Sequence, residues 1–286
     1  MREGKVALSL LIFVIHLAQG INMSKKSLIR TTAASMVLSF GFSLEPSNVL
    51  AAPRAMHRQC GNLDLDLEFI GSGGSGTVFR GDMKGRKPVV VKVARKASEN
   101  SVKREAAILI KLEQKLVNNV ERFVDSCDMD IGEGATYFAG VFRPYLNPPE
   151  ASSIATIKND ATGAIKAKAS RQLMRTVIEM VNADIALTDL QVLIEPDTGQ
   201  LLVIDLTEAE TLRLEQGLSF HDKAVVSSFF GEALAFVEEA MTNAPNKQIR
   251  DSIRDAALDG VKEGIAVTSL SESALGLVDV LTSGLR

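Results

Sequence analysis

Gly71, Gly73 and Gly76 stand in the pattern G-x-G-x-x-G within Phe69-Ile-Gly-Ser-Gly-Gly-Ser-Gly-Thr-Val-Phe-Arg80. Glycines let a backbone approach phosphate groups with no Cβ in the way. Lys92 comes next, on an otherwise apolar run, Pro88-Val-Val-Val-Lys-Val93. An ammonium among valines is costly to bury unless an anion pairs with it. Phosphate recognition is therefore the chemistry this stretch suggests. The glycine spacing alone is a weak signal, and the residues after Gly76 decide the type of loop. A dinucleotide loop passes from a strand into a helix. Here the chain continues instead into the β-rich Thr77-Val-Phe-Arg80, a turn at Lys84-Gly-Arg-Lys87 and the Lys92 strand. A Walker loop would end in Gly-Lys-Ser/Thr, and none is present. The plainer alternative is a hairpin with a flexible Gly-Ser tip and an edge lysine that blunts aggregation.

The anion for Lys92 is sought on the next helix, residues 100–117. Asn100 or Ser101 would cap it. Glu105, Leu109, Leu112 and Leu116 fall on one face of that helix. An acid on an apolar face points to a paired charge, so Glu105 is the expected partner of Lys92. The competing reading is a helix-start glutamate favoured by the dipole.

Strand, glycine turn, strand, turn, strand with lysine resembles the order found in protein kinases, and residues 63–207 are similar to that family in ordered fragments. The resemblance implies an α+β, two-lobed protein-kinase-like fold. Residues 57–145 would form the N-lobe, an antiparallel sheet of five strands with one helix. Residues 146–286 would form a reduced, mostly helical C-lobe. ATP with Mg²⁺ would bind between them. Ile70, Gly71, Gly73, Gly76 and Val78 would line the nucleotide, with Val78 over the adenine. Lys92 and Glu105 would hold the phosphates. Tyr137–Tyr145 would be the last N-lobe strand running into the hinge, with Arg143 to Tyr145 as hinge.

The second half departs from the family pattern. Residues 166–181 read as a helix, and two apolar strands around Glu195-Pro-Asp-Thr-Gly-Gln200 read as a hairpin. Asp205 ends the second strand and corresponds to the aspartate of the family's Asp-Phe-Gly, which binds Mg²⁺. Here the sequence is Asp205-Leu-Thr, without Phe or Gly. Asp205 read without the resemblance is a capped strand end. The family's loop His-Arg-Asp-Leu-Lys-Pro-x-Asn has three alignments. One puts Gln191 at the Asn and Ala186 at the Asp. A second matches Thr188-Asp-Leu-Gln191 to Arg-Asp-Leu-Lys with a three-residue deletion. A third uses Asp184 and Asp189, with Asp189 in place of the metal-binding Asn. Asp189 is preferred as the candidate base and Gln191 as a phosphate or metal contact; the alternative makes both aspartates turn caps. No Ala-Pro-Glu is found beyond Asp205. Helices are expected at 222–242, 247–264 and 272–285.

The implied activity is transfer of the γ-phosphoryl of Mg-ATP to a hydroxyl of a protein or small molecule. The alternatives are a pseudokinase that binds nucleotide and acts through partners, and a small-molecule kinase.

Composition sets the outer bounds. The chain has 286 residues, 46% hydrophobic and 23% charged, which suits a globular protein with a sizeable core. A net charge of −3 gives no basic surface for nucleic acid. The three histidines form no zinc-like cluster with the two cysteines. Cys60 and Cys127 are either one disulfide or two separate thiols. Residues 1–22, with Arg2, Lys5 and the apolar run Val6–Ala18, read as a signal peptide. Residues 23–56 read as a transit-like leader, basic and hydroxylated with Glu45 its only acid. Together they resemble the bipartite leader of algae with secondary plastids. That implies entry to the secretory pathway and passage to a plastid, with secretion as the alternative. A membrane anchor, or a true start at Met23, would change that reading.

Overall fold

Val89–Ala94 shows why the sheet forms where it does. Its β-branched residues alternate, so Val89, Val91 and Val93 point to one face and are buried. Val90 and Lys92 point to the other. This strand, β4, lies between β3 (Gly76–Asp82) and β6 (Thr136–Arg143) in an antiparallel sheet. The sheet also contains β1 (Met56–Cys60), β2 (Leu63–Ser72) and β5 (Arg122–Asp130), in the order β1-β2-β3-β4-β6-β5. The computed structural model describes residues 56–268, apart from 75, 83–87, 132–135, 144–156, 158–159 and 214–216, together with 272–285. The expected leader, most of the expected hinge and the Lys84–Lys87 turn fall outside the described residues.

The sheet has six strands where five were expected. The added strand, β1, reads Met-His-Arg-Gln-Cys, too polar to stand out as a strand. It pairs with β2 from Met56↔Leu67 to Cys60↔Leu63. Gly61, at φ 56°, turns the chain between them, and a Cβ there would lie 2.7 Å from Asp125 Oδ2.

β1 and β5 are the outermost strands, yet they are joined. Cys60 is bonded to Cys127, and Arg58 Nε donates to the Asp130 carbonyl at 2.6 Å. The sheet thus curls around its own core of Leu65, Leu67, Phe79, Val89, Val91, Val93, Met129, Ala139 and Val141, with Cys60 fully buried among them. Of the two sequence readings of the cysteines, the structure shows the disulfide.

The opposite face of β4 packs on helix α1 (Glu99–Gln114), whose Val102, Leu109 and Leu112 join Phe142 in the larger core. The N-cap is Ser98, not Asn100 or Ser101, and its side chain makes no capping bond. Its Oγ donates instead to the Gly74 carbonyl at 3.2 Å, binding the helix start to the glycine turn. Leu116 does not share the face of Glu105. The helix stops at Gln114, and Leu116 lies at φ 59°, 79% exposed.

Helix α2 (Ala164–Asn182) is the spine of the second half, with Leu173, Met174, Val177, Ile178 and Val181 buried. It packs on α4 (Lys247–Ala266) so closely that a Cβ on Gly260 would lie 2.1 Å from the Arg171 carbonyl oxygen. Between them in sequence runs α3 (Phe220–Thr242), started by a capping box of Ser219 and Asp222. Helix α5 spans Glu272–Leu285. The expected hairpin is present as β8 (Gln191–Ile194) and β9 (Leu201–Ile204). Ahead of it, β7 (Ile185–Leu187) pairs instead with β10 (Ala209–Thr211). None of the described helices is long and apolar enough to cross a membrane.

The disulfide closes a span of 67 residues, so reduction should lower unfolding free energy by about 2–4 kcal/mol. Thermal unfolding with and without a dithiol reductant measures this. Two titratable thiols in the denatured, unreduced protein would refute the bridge.

Candidate functional site

The glycine turn links β2 to β3. A register shift between Phe69 and Gly71 leaves Ile70 out of the ladder and 43% exposed. The Gly73 N–H donates to the Gly76 carbonyl at 2.9 Å, closing the turn. Gly76 is demanded by packing, since a Cβ would sit 2.2 Å from the Val93 carbonyl oxygen. Gly71, Gly73 and Gly74 differ: no atom lies within 4 Å of where their Cβ atoms would be. The backbone at those three positions is open to an approaching group.

Beneath the turn is a small cavity of about 100 Å³, lined by Gly73, Gly74, Gly76, Val78, Lys92, Val102 and Asp205. Larger depressions of about 820 and 760 Å³ lie elsewhere, on the polar surface around Arg171. They are wide open and hold no buried charge.

Lys92 organises the cavity floor. Its strand is interior to the sheet and its side chain is 14% exposed, so it is not an edge lysine. Nζ lies 2.6 Å from Glu105 Oε1, 3.3 Å from Asp205 Oδ1 and 3.8 Å from Glu121 Oε2. It also sits 5.2 Å from the centre of the Phe142 ring, in cation–π range. Burial pushes the Lys92 pKa down, but Glu121, Glu105 and Asp205 together hold it above its ordinary value. Burial pushes the Glu105 carboxyl up, against the pull of Lys92 and the Leu206 N–H. Glu121 is raised from 4.5 to about 7, by burial first, against Lys92 and with the repulsion of Glu105 and Asp205.

The same two glutamates hold the chain at Asp205. That residue lies at φ 55° and ψ 66°, the left-handed region, which aspartate tolerates better than most residues but still at a cost. Its N–H donates to Glu121, and the next N–H, of Leu206, donates to Glu105 Oε1 at 2.9 Å. Thr207 Oγ1 donates to Asp205 Oδ1 at 2.9 Å. Arg104, one residue before Glu105, donates to the Ala209 carbonyl at 2.6 Å. Helix α1 thus grips the segment after β9 at both its buried acid and the neighbouring arginine.

Of the residues singled out from sequence, Gly73, Gly76, Val78, Lys92 and Asp205 line the cavity, and Glu105 lies directly behind Lys92. Gly71 is at the turn's entrance, and Ile70 faces outward. Asp189 and Gln191 do not line the cavity. Asp189 sits exposed on the loop between β7 and β8 and Gln191 exposed at the first position of β8, with Gln191 Nε2 donating to Asp189 Oδ2 at 2.8 Å. That loop is anchored by Leu190 N–H to Glu232 Oε2 at 2.6 Å and by Thr188 Oγ1 to the Glu208 carbonyl at 3.0 Å.

Glu121 is the residue sequence reasoning missed. Alternation along a strand would bury Val120 or Glu121, not both. Both are buried because this stretch runs against β9, with Glu121 N–H on the Val203 carbonyl at 2.9 Å and Val203 N–H on the Asn119 carbonyl at 2.8 Å. The sequence offers no hint, because the strand that follows, Arg-Phe-Val-Asp-Ser-Cys-Asp-Met-Asp, already carries several charges, and a glutamate ahead of it does not stand out.

The donors suit the phosphate end of a nucleotide: an open glycine backbone faces a lysine. The cavity volume, about 100 Å³, accepts a phosphate-sized group, whereas whole-ligand pockets run to about 300–1,000 Å³. For Mg²⁺, which takes one or two carboxylates beside substrate phosphates, Asp205 fits and Gln191 does not. No group of three or more His, Cys, Asp or Glu among the described residues is arranged to hold a metal by itself.

No protein-family model matches the chain, and no curated protein does. Among solved structures it is similar to a Stt7 homologue from Micromonas algae, crystallised and soaked with ATP. The two are 21% identical with a TM-score of 0.43, over 59% of this chain and 57% of that one. The match thus spans little more than half of the other chain.

Glu121 makes stability depend on pH. The folded state keeps its proton up to about pH 7 while the unfolded chain releases it near 4.5. Stability is therefore lost as pH rises through that window. Glu121→Gln should gain on the wild type by roughly 2–3 kcal/mol between pH 5 and pH 8. Urea unfolding at the two pH values measures it; an equal difference at both would refute the buried, proton-holding carboxyl.

Proposed function

We propose that this protein is an ATP-binding phosphotransferase of protein-kinase-like fold. The observation that carries the reading is Lys92, held under an open glycine turn between the Glu105 carboxylate at 2.6 Å and the Asp205 carboxylate at 3.3 Å. A lysine strand, a helix glutamate and a metal-binding aspartate are the parts that position phosphates in protein kinases. Lys92 stands on the third strand counted from the one that enters the glycine turn, and Glu105 on the helix after it.

In this reading Gly73 and Gly74 receive the phosphates on their backbone, Val78 covers the base, and Lys92 neutralises phosphate oxygens. Mg²⁺, when bound, would shield the charge of the phosphates, with Asp205 holding it. Transfer forms a bond from the acceptor oxygen to the γ-phosphorus and breaks the bond to the β–γ bridging oxygen, leaving ADP. The acceptor's proton would pass to Asp189. Phosphoryl transfer rests largely on positioning and electrostatics, so a degenerate catalytic loop is compatible with it.

A second reading is favoured by one observation. Asp189 is occupied by Gln191 and lies outside the cavity lining. A chain that binds nucleotide and acts through partners, without transfer, would need no more than the Lys92 site.

ATP with Mg²⁺ at a hundredfold excess over its Kd should stabilise the chain by about 2.7 kcal/mol in thermal unfolding. Lys92→Ala should abolish that stabilisation, with Lys92→Arg as the check should the alanine variant not fold. Normal ATP binding by either variant refutes the site. Phosphotransfer that vanishes in Asp189→Asn while binding persists supports the kinase; transfer that survives loss of both Asp189 and Asp205 refutes it.

A further inference from the structure

Lys92 is surrounded by more negative charge than a phosphate site needs. One ammonium faces three carboxylates: Glu105 from α1, Glu121 from the connection just before β5 and Asp205 from the turn after β9. With all ionised the cluster carries two net negative charges. Glu105 and Glu121 are 0% and 3% exposed, so water screens them little. The Oε2 atoms of both are buried without a hydrogen-bond partner. Glu105 is accounted for by its ion pair and its bond to Leu206. Glu121 adds no direct hydrogen bond to the ammonium, only its charge. A polyphosphate entering beneath the glycine turn meets a lysine already more than neutralised.

We propose that Glu121 is a selectivity residue of this site, whose charge makes polyphosphate binding depend on an accompanying divalent cation. It rests on the nucleotide reading above and deepens it. The lysine does not capture a bare anion. The positive charge brought by the cation offsets the cluster, and Asp205, 35% exposed at the cavity, is the carboxylate in reach of it. Removing the Glu121 charge halves the cluster's net negative charge, from two to one, and eases entry of the metal-free anion. Glutamine has nearly the same shape and can still accept the Asp205 N–H, so the turn keeps its support.

The test is calorimetric binding of ATP and of inorganic tripolyphosphate at pH 8.5, each with Mg²⁺ or with EDTA, and needs no catalysis. For the wild type, Mg²⁺ should tighten both ligands by about a hundredfold or more, the scale of two elementary charges at short range. Glu121→Gln should bind the metal-free ligands about tenfold tighter than wild type, with the Mg²⁺ complexes little changed. Glu121→Asp, which keeps the charge, should retain the wild-type ratio. Wild type binding metal-free ligand within threefold of the Mg²⁺ complex overturns the proposal, whether or not the variants fold. So does a Glu121→Gln variant with the wild-type ratio. ATP binding to wild type with Mg²⁺ but an unchanged ratio in the variant leaves the nucleotide reading standing and this one refuted. No ATP binding under any condition refutes both.

Discussion

A single buried ammonium sets the terms for the rest of this structure. Lys92 cannot remain charged on an interior strand without anions, and the anions that serve it come from three separate parts of the chain. Glu105 requires α1 to lie across the sheet. Asp205 requires β9 to end beside it. Glu121 requires the connection into β5 to run along β9. The two glutamates are in turn receptors for backbone. Glu105 takes the Leu206 N–H and Glu121 takes that of Asp205, so the charges hold the chain that presents them.

This reciprocity explains a costly backbone conformation. Asp205 lies in the left-handed region, where a residue other than glycine is strained, and it stays there because two consecutive N–H groups are bound by two buried acids. The glycine turn above is fixed by different means. Gly76 is pressed against Val93, and Ser98 holds the Gly74 carbonyl. Turn, lysine and aspartate thus sit on three frameworks that meet at one small cavity. The loop bearing Asp189 belongs to none of them, since its supports are Glu232 of α3 and the Glu208 carbonyl.

What could be read in the sequence was what is local. The glycine spacing, the lysine among valines and the four later helices are short-range patterns, and those elements form near the expected residues. Glu105 could be placed because helical periodicity marks a face. Glu121 could not, because its burial comes from β9, a neighbour distant along the chain. β1 was illegible for a related reason: His57, Arg58 and Gln59 conceal an alternation that only its pairing with β2 reveals. Leu116 was misplaced because the pattern ran past the point where the chain turns out of the helix. The cysteine pairing stayed open because it depends on which strands end up outermost.

The bond between Cys60 and Cys127 has a consequence for how this chain meets others. A sheet's marginal strands expose unpaired N–H and C=O groups, which can template the addition of a strand from another molecule. Here the two margins, β1 and β5, are drawn together by one covalent bond and by Arg58 on the Asp130 carbonyl. Each occupies the side from which a foreign strand would approach the other. Oxidation of this one cysteine pair therefore does more than stabilise a fold: it sets each margin of the sheet in the way of a strand approaching the other.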